Sequence, residues 1–204
     1  MLAEPTVFVV DDDEAVAHAF RYLIESVGLR VEVFTSPSAF IEKFDPACPG
    51  CLVLDVRMPA MSGFELLDWL RQRDIEIPVI FVTGHGDVPM AVRAMKAGAV
   101  DFIEKPFRDQ ELLDQIYKAI RMDAQSRRDR AKFVAIRERY RSLTEREREV
   151  MDLVVAGCAN KVIAERLGLS TKTVEAHRAK VMEKMKARSL SQLVQMAYEL
   201  KHSR

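Results

Sequence analysis

TVFVVDDD, at residues 6–13, carries the clearest structural signal in this 204-residue chain. Its β-branched, apolar first part is typical of a strand that is buried on both faces, and the acidic residues end that strand. Apolar residues at helical spacing follow from Val16 to Val27, and the pattern stops at Gly28. A buried strand followed directly by an amphipathic helix is the repeating unit of a parallel sheet.

The same pattern recurs four more times before residue 121. Strands are predicted at 31–34, 51–54, 78–82 and 100–103, and helices at 37–44, 64–73, 88–97 and 112–120. Five short apolar strands that alternate with five helices predict an α/β fold, namely a doubly wound, five-stranded parallel sheet with helices on both faces. In such sheets the functional crevice lies beyond the carboxyl ends of the strands.

From Leu143 onward the pattern changes to short helices without strands. We predict helices that end at Gly157 and Gly168, a third over 171–186 and a fourth over 190–200, which together form a small all-α domain. The predicted caps are Thr144 with Glu147 as a capping box, Asn160 and Ser170.

Charge is distributed unevenly although the net charge is zero. Residues 1–120 contain 11 Lys and Arg against 20 Asp and Glu, a net charge of −9, whereas residues 121–143 carry +5 and residues 144–204 carry +4. An acidic front and a basic back predict two modules with different partners, at 1–122 and 142–204, and a linker at 123–141. The linker is either a helix that extends the preceding one or a frayed polar segment. Charge alone does not distinguish nucleic-acid binding from an ordinary basic surface.

Composition excludes several protein classes. Hydrophobic residues make up 49% and charged residues 30%, which is typical of a globular protein and excludes a wholly disordered or collagen-like chain. No uncharged apolar run approaches the ~20 residues of a membrane span, and the N-terminus lacks the basic segment of a secretion signal. We therefore expect a cytoplasmic protein with no membrane contact.

The three cysteines are too few for a disulfide framework. Cys48-Pro49-Gly50-Cys51 has the spacing of a redox motif, but it precedes a predicted strand and not the helix N-terminus that would activate a thiol. A structural role is therefore the stronger interpretation, and a redox or metal role the weaker one.

Polar side chains follow four of the predicted strands. Asp11 and Asp12 follow the first strand, Asp55 the third, Thr83 the fourth and Lys105 the fifth. The parallel topology brings them to one rim, where converging carboxylates repel each other unless a cation lies among them. Oxygen ligands suit Mg²⁺, and a lysine and a hydroxyl suit phosphoryl oxygens. Each residue alone has a structural explanation, but the coincidence at four strand ends favours a site where a carboxylate attacks phosphorus.

The front of the chain resembles the receiver domain of bacterial two-component response regulators over about residues 5–122. The matching motifs are Asp11-Asp12, Asp55-x-x-Met58-Pro59-x-x-x-Gly63, Thr83-Gly84, Ala97-Gly98-Ala99 and Lys105-Pro106. Ala60 departs from the pattern, since relatives often have Gly or Asp at this position.

The resemblance implies a role for each of these residues. Asp55 would be the phosphoacceptor, and Thr83 and Lys105 would bind the phosphoryl oxygens. Thr83 would also act with Phe102 as the conformational switch. Mg²⁺ would be held by Asp11, Asp12, Asp55 and the backbone carbonyl of Arg57. The receiver would assist only its own phosphoryl transfer and hydrolysis, so the chain is not expected to be an enzyme in any wider sense.

The segment from Gly84 to Val92 resembles FixJ-type regulators, which dimerise through this face. The resemblance implies a dimerisation surface with four residues, Val88, Met90, Val92 and Lys96. The predicted helix at 88–97 is apolar on more than one side, which suggests a partner but also fits tight packing on the sheet.

The helices at 160–167 and 171–186, joined by a short turn, are a helix-turn-helix candidate. At 100° per residue, Val174, Val181 and Met185 share one face of the second helix and are predicted to pack inward. Two alanines on the opposite face would let the helix approach the floor of a DNA groove, although alanine is also simply a good helix former. Glu175 suits a cytosine amine and the lysines suit phosphates. The predicted DNA-binding residues are Lys172, Thr173, Glu175, Ala176, Ala179 and Lys180.

Residues 140–204 resemble the LuxR-type DNA-binding domain. The matching motifs are Leu143-Thr144-x-Arg146-Glu147-x-x-Val150, Gly157, Asn160-Lys161-x-Ile163-Ala164-x-x-Leu167, Ser170-x-x-Thr173-Val174-x-x-His177 and Lys184-Met185. The resemblance implies that Glu147 and Asn160 support packing and capping, and that dimers bind paired half-sites. We interpret His177 as structural, because it lies near the inward edge of its helix.

These features predict a FixJ/NarL-type response regulator that binds promoter DNA. A sensor histidine kinase would phosphorylate Asp55, phosphorylation would promote homodimerisation, and RNA polymerase is a candidate partner. An aspartyl-phosphate hydrolase fits less well, because its nucleophile would follow the first strand in an Asp-x-Asp motif. A receiver that serves only as a phosphate shuttle or interaction module would not need the basic C-terminal domain.

Overall fold

The computed structural model describes residues 4–202, which divide into two compact units between Ser126 and Arg127. Strands and helices alternate in the first unit, as the sequence predicts. In chain order they are β1 Thr6–Val10, α1 Glu14–Ser26, β2 Arg30–Phe34, α2 Pro37–Lys43, β3 Gly50–Leu54, α3 Gly63–Arg71, β4 Val79–Thr83, α4 Val88–Lys96, β5 Asp101–Glu104 and α5 Asp109–Arg141.

The sheet is parallel, with the strand order β2-β1-β3-β4-β5, and this confirms the doubly wound prediction. Val10 of β1 pairs with Leu54 of β3, and Leu54 with Phe81 of β4, so the carboxyl ends of these central strands lie side by side. The strand order reverses direction between β1 and β3, and ligands bind at such a switch point in open α/β sheets. The fold therefore directs attention to the residues that follow β1 and β3.

Two apolar layers cover the faces of the sheet. Successive side chains of a strand point to opposite faces, so Phe8 and Leu52 belong to one layer while Val9 and Val53 belong to the other. The three central strands are buried along their whole length, which explains their nearly continuous apolar sequence.

Helix α5 runs for 33 residues and includes the predicted linker, which confirms the helical interpretation of residues 123–141. This segment is not uniformly exposed. Asp123 is buried and its Oδ2 accepts a hydrogen bond from the Gly50 N–H at the start of β3 (2.9 Å). Ile136 is buried in the core of the second unit. The Asp123 contact has no sequence signal, whereas Ile136 is one of the apolar residues that recur at helical spacing in this segment, with Phe133, Tyr140 and Leu143.

The second unit continues with α6 Glu145–Val155, α7 Asn160–Leu167, α8 Thr171–Met185 and α9 Leu190–His202. The capping box of Thr144 with Glu147 and the Ser170 cap are confirmed. The prediction that Asn160 caps α7 is wrong: the N-cap is Ala159, without a side-chain hydrogen bond. The Asn160 side chain instead accepts a hydrogen bond from Arg178 of α8, so it ties two helices together.

Over residues 4–202, no helix combines the length and the apolar character that a bilayer span requires.

Candidate functional site

Three of the residues predicted at the strand ends meet at the rim of the sheet. Asp11, after β1, is buried, and its Oδ2 lies 2.6 Å from the Lys105 ammonium. The same ammonium is 3.5 Å from Oδ1 of Asp55, which follows β3 and is 8% exposed. Lys105 stands just after β5, and the peptide bond to Pro106 is cis. The Lys105 ammonium thus faces two carboxylates, Asp11 and Asp55, that lie far apart in the sequence.

The Asp55 carboxylate is held in place from both sides. Its Oδ2 accepts a hydrogen bond from the Arg57 N–H at 2.6 Å, while Oδ1 faces Lys105. Burial raises the pKa of Asp55 above its ordinary value, and the charge of Lys105 and the Arg57 hydrogen bond only partly offset this effect. The site therefore presents one oriented carboxylate in a partly desolvated setting, as a nucleophile for phosphorus requires.

Gly63 makes close packing of the Asp55 loop possible. A Cβ atom at this position would lie 2.2 Å from the Asp55 backbone oxygen, so no other residue fits without a backbone shift. Ala60, in the same loop, has a φ of 67°. This left-handed conformation explains why Gly is suited to the position, and it means that the alanine here is strained by roughly 1–2 kcal/mol.

Two further rim residues have different surroundings. Asp12 is exposed and lines an open depression together with Arg57 and Arg93. Thr83 is buried, and its Oγ1 accepts a hydrogen bond from the His85 N–H at 3.4 Å. Asp13 accepts hydrogen bonds from the first N–H groups of α1, so it is a helix cap and not part of the site.

The donor set fits a hard divalent cation in its chemistry. No three carboxylate, histidine or cysteine side chains within residues 4–202 converge as a ready metal site. Asp11 and Asp55 nevertheless converge on one ammonium, so the space between them already accommodates a cation. Oxygen-only donors are what Mg²⁺ prefers, and it usually takes one or two carboxylates and keeps waters. Asp11, Asp55, the exposed Asp12 and the Arg57 carbonyl could therefore hold Mg²⁺ once Lys105 no longer binds both carboxylates.

The predicted switch and dimerisation residues lie on and beside α4. Only Ala94 of α4 is buried; Val88 and Val92 are exposed apolar residues, Lys96 is exposed, and Met90 is half-buried against the core. Tight packing on the sheet thus accounts for little of the apolar character of this helix. Phe102 of β5 is half-buried against the same core, and a Cβ atom at Gly86 would lie 3.0 Å from its ring.

Cys51, the cysteine of the Cys48–Cys51 pair that lies in a strand, does not have a reactive thiol. Cys51 is fully buried in β3, and burial together with the nearby Asp123 raises its pKa to about 12. A thiol with this pKa is not deprotonated at neutral pH, so it is neither a nucleophile nor a ready metal ligand. These contacts support the structural interpretation of the motif.

Helix α8 has the two faces that the sequence predicts. Val174, Val181 and Met185 are at most 1% exposed, which confirms the inward face. Thr173 is half-buried, and its N–H and hydroxyl are hydrogen-bonded to Ser170. The other predicted DNA-binding residues all lie on the exposed side, namely Lys172, Glu175, Ala176, Ala179 and Lys180.

An ion pair that no sequence pattern predicts fixes the end of α8. Lys184 Nζ lies 2.6 Å from Oε2 of Glu147, whose side chain is 4% exposed. The hydrogen bond from Lys184 lowers the pKa of Glu147, and the Thr144 N–H adds to this effect. The capping box points to Glu147, but no sequence pattern connects it to a lysine in another helix.

Comparison with known proteins identifies both units. Residues 7–117 match the family model for the response regulator receiver domain, and residues 141–197 match that for the luxR family of bacterial regulatory proteins. The transcriptional regulatory protein FixJ of Rhizobium meliloti is 48% identical over 196 residues, which cover 96% of each chain. The response regulator protein TodT of Pseudomonas putida is 45% identical over 197 residues, covering 97% of this chain and 87% of TodT.

A solved structure extends the likeness to three dimensions. The structure of the response regulator StyR is 46% identical, covers 97% of this chain and 100% of its own, and has a TM-score of 0.87. Sequence and structure thus agree over both units. The chain belongs to the FixJ-type response regulators, which join a receiver domain to a LuxR-type DNA-binding domain.

Proposed function

We propose that this chain regulates transcription under the control of a sensor histidine kinase that phosphorylates Asp55. Response regulators interact with sensor kinases and DNA, and this chain matches the family models of both the receiver and the LuxR-type domain. The observation that carries the proposal is the Asp55 carboxylate, with one oxygen fixed by the Arg57 N–H and the other 3.5 Å from the Lys105 ammonium.

The chemistry is a phosphoryl transfer to a carboxylate oxygen. The bond between phosphorus and the kinase histidine nitrogen breaks, its electron pair stays on nitrogen, and a new bond joins phosphorus to Asp55. The Lys105 ammonium neutralises charge on a phosphoryl oxygen, and the Thr83 hydroxyl donates to another. Receiver domains generally use Mg²⁺, which would neutralise further phosphoryl charge while held by Asp11, Asp12, Asp55 and the Arg57 carbonyl. The chain assists only this transfer and the later hydrolysis of its own acyl phosphate.

The switch follows from the added charge. A phosphoryl group brings about −1.5 to −2 charges to the rim. Thr83 leaves the His85 N–H to bind it, and Phe102 moves inward beside it. The exposed face of α4 is then repacked for homodimerisation through Val88, Met90, Val92 and Lys96.

We assign residues 1–122 to the receiver, 123–141 to the helical linker and 142–204 to the DNA-binding domain. A dimer would place two α8 helices on paired half-sites of promoter DNA, with RNA polymerase as a further partner. The exposed lysines and the alanine surface of α8 support this assignment. Because its target is the chromosome, we place the action of the protein in the bacterial cytoplasm.

Two experiments test the proposal. Incubation with Mg²⁺ and acetyl phosphate should add one phosphoryl group, located on Asp55 by peptide mass spectrometry, and Asp55→Asn should abolish the addition. A chain truncated after residue 140 should lose its retention on DNA. An unmodified Asp55 would refute the phosphoacceptor role, and DNA retention by the truncated chain would favour a function that does not use α8.

A further inference from the structure

Helix α4 is the least buried helix that touches the sheet near the phosphoryl site. Of its nine residues only Ala94 is buried, while Val88 is 77% and Met95 51% exposed. A cavity of about 280 Å³ lies next to its C-terminal end, lined by Ala97 and Gly98 among others. Core packing therefore contributes little to holding α4 in place.

Two arginines connect α4 to the neighbouring helix α3. The guanidinium of Arg93, in α4, lies 4.2 Å from the centre of the Phe64 ring at the start of α3. Arg71, the last residue of α3, donates a hydrogen bond to the carbonyl of Ala97, the C-cap of α4. Arg93 extends from α4 to the start of α3, and Arg71 extends from the end of α3 to the end of α4. Both ends of α3 therefore contact the same neighbouring helix.

The Phe64 side of this connection is rigid. Phe64 is buried and its ring lies 4.8 Å from that of Phe81 in β4, so it offers a fixed surface to the guanidinium. Arg93 also contributes to the lowered pKa of Glu65, after the two hydrogen bonds from Ser62. Arg93 thus interacts with two residues of the first turn of α3, Phe64 and Glu65.

We propose that Arg93 and Arg71 form a two-point clamp that holds α4 against α3 and opposes repacking of the exposed dimerisation face until Asp55 is phosphorylated. This inference rests on the proposed function. The clamp coexists with the bonds of Lys105 to Asp11 and of the His85 N–H to Thr83, which are the contacts that phosphoryl binding would break. Arg93 and Arg71 are positioning residues, since neither contacts the reacting atoms.

The two contacts of the clamp are weak enough for the position of α4 to be reversible. An exposed cation–π contact or a hydrogen bond shifts an equilibrium by about two- to fivefold. Loss of both should therefore shift the position of α4 by about tenfold, which is large enough to measure and small enough for a phosphoryl group to overcome.

The test compares Arg93→Gln, Arg71→Gln and the double variant in an Asp55→Asn background, where the acceptor cannot be phosphorylated. The matched control is Arg73→Gln, because the Arg73 guanidinium lies 4.1 Å from the ring of Trp69 in α3, a contact in which α4 takes no part. Amide hydrogen exchange of residues 88–97 reports release of the helix, and sedimentation equilibrium reports the dimer dissociation constant.

We expect exchange in α4 to accelerate severalfold and dimerisation to strengthen by about two- to fivefold for each arginine removed. Arg93→Lys, which keeps a cation over Phe64, should restore most of the slow exchange, and Arg73→Gln should change neither readout. Unchanged exchange in the double variant, or an equal effect from Arg73→Gln, overturns the clamp. If amide exchange in α4 accelerates while the dimer dissociation constant stays the same, the clamp does not control dimerisation.

Failure of the proposed function gives a different result. Wild-type protein would then fail to dimerise with Mg²⁺ and acetyl phosphate, while the exchange comparison would still decide whether the arginines hold α4.

Discussion

Lys184→Met removes the charge that faces Glu147 and keeps most of the apolar stem of the side chain. The Glu147 side chain is 4% exposed, and Lys184 Nζ lies 2.6 Å from its Oε2. A hydrogen bond to a charged group contributes about 1.5–3 kcal/mol, and leaving the carboxylate buried without it adds a desolvation cost. Since Lys184 is 34% exposed and water can replace part of the contact, we expect a loss of about 2 kcal/mol.

Two optical probes separate the units in a urea titration of the full chain. The only tryptophan, Trp69, lies in α3, so its fluorescence follows the first unit, while far-ultraviolet circular dichroism follows both. At about 1 kcal/mol per molar urea, the loss should lower the midpoint of the second unit by roughly 2 M. The fluorescence transition should not move.

The control and the pH dependence make this prediction specific. Lys132→Met breaks the more exposed pair with Glu199 (2.8 Å) and should cost less than about 1 kcal/mol. The pKa of Glu147 is lowered in the folded chain, so the stability it provides is full above its ordinary pKa of 4.5 and is lost as the pH falls through the lowered pKa. The wild type and Lys184→Met should therefore converge at low pH. An equal cost for both lysine variants at neutral pH would refute the reasoning.

Three further predictions concern the phosphoryl site and DNA. Gly63→Ala places a Cβ atom 2.2 Å from the Asp55 carbonyl oxygen, so Trp69 fluorescence should show a destabilisation of about 1–3 kcal/mol and acetyl phosphate labelling should slow. Asp55→Asn should stabilise the first unit at neutral pH, because burial raises the pKa of Asp55 and so disfavours its ionised form in the folded state. This gain in stability should shrink as the pH falls through the raised pKa of Asp55. A gain that does not change with pH would contradict the burial argument. Lys172→Gln and Lys180→Gln should each weaken DNA binding and reduce the slope of its salt dependence by about 0.9, as filter binding at several salt concentrations would show.

The residues whose positions are fixed by topology alone are the ones that the sequence predicts best. The carboxyl ends of parallel strands share one rim, so a strand pattern was enough to bring Asp11, Asp55 and Lys105 together. The inward face of α8 was equally predictable, because helical periodicity assigns Val174 and Val181 to one side.

Contacts between elements were not predictable in the same way. The side chain of Asn160 can cap a helix or bind a neighbour, and only the position of Arg178 decides between them. Ile136 belongs to a short run with Phe133, Tyr140 and Leu143 at spacings of three and four, which indicates a helix but does not show that Ile136 is buried in the second core. The reach of Arg93 to Phe64 likewise depends on how closely α3 and α4 approach. Local sequence does not encode these distances.

Sedimentation equilibrium of the full chain, with Mg²⁺ and with or without acetyl phosphate, tests most directly whether Asp55 controls assembly. The wild type should shift from monomer to dimer when the phosphodonor is added, and Asp55→Asn should stay predominantly monomeric, with the same weak dimerisation under both conditions. A wild-type chain that stays monomeric while mass spectrometry shows Asp55 phosphorylated, or a variant that dimerises to the same extent, would contradict the account.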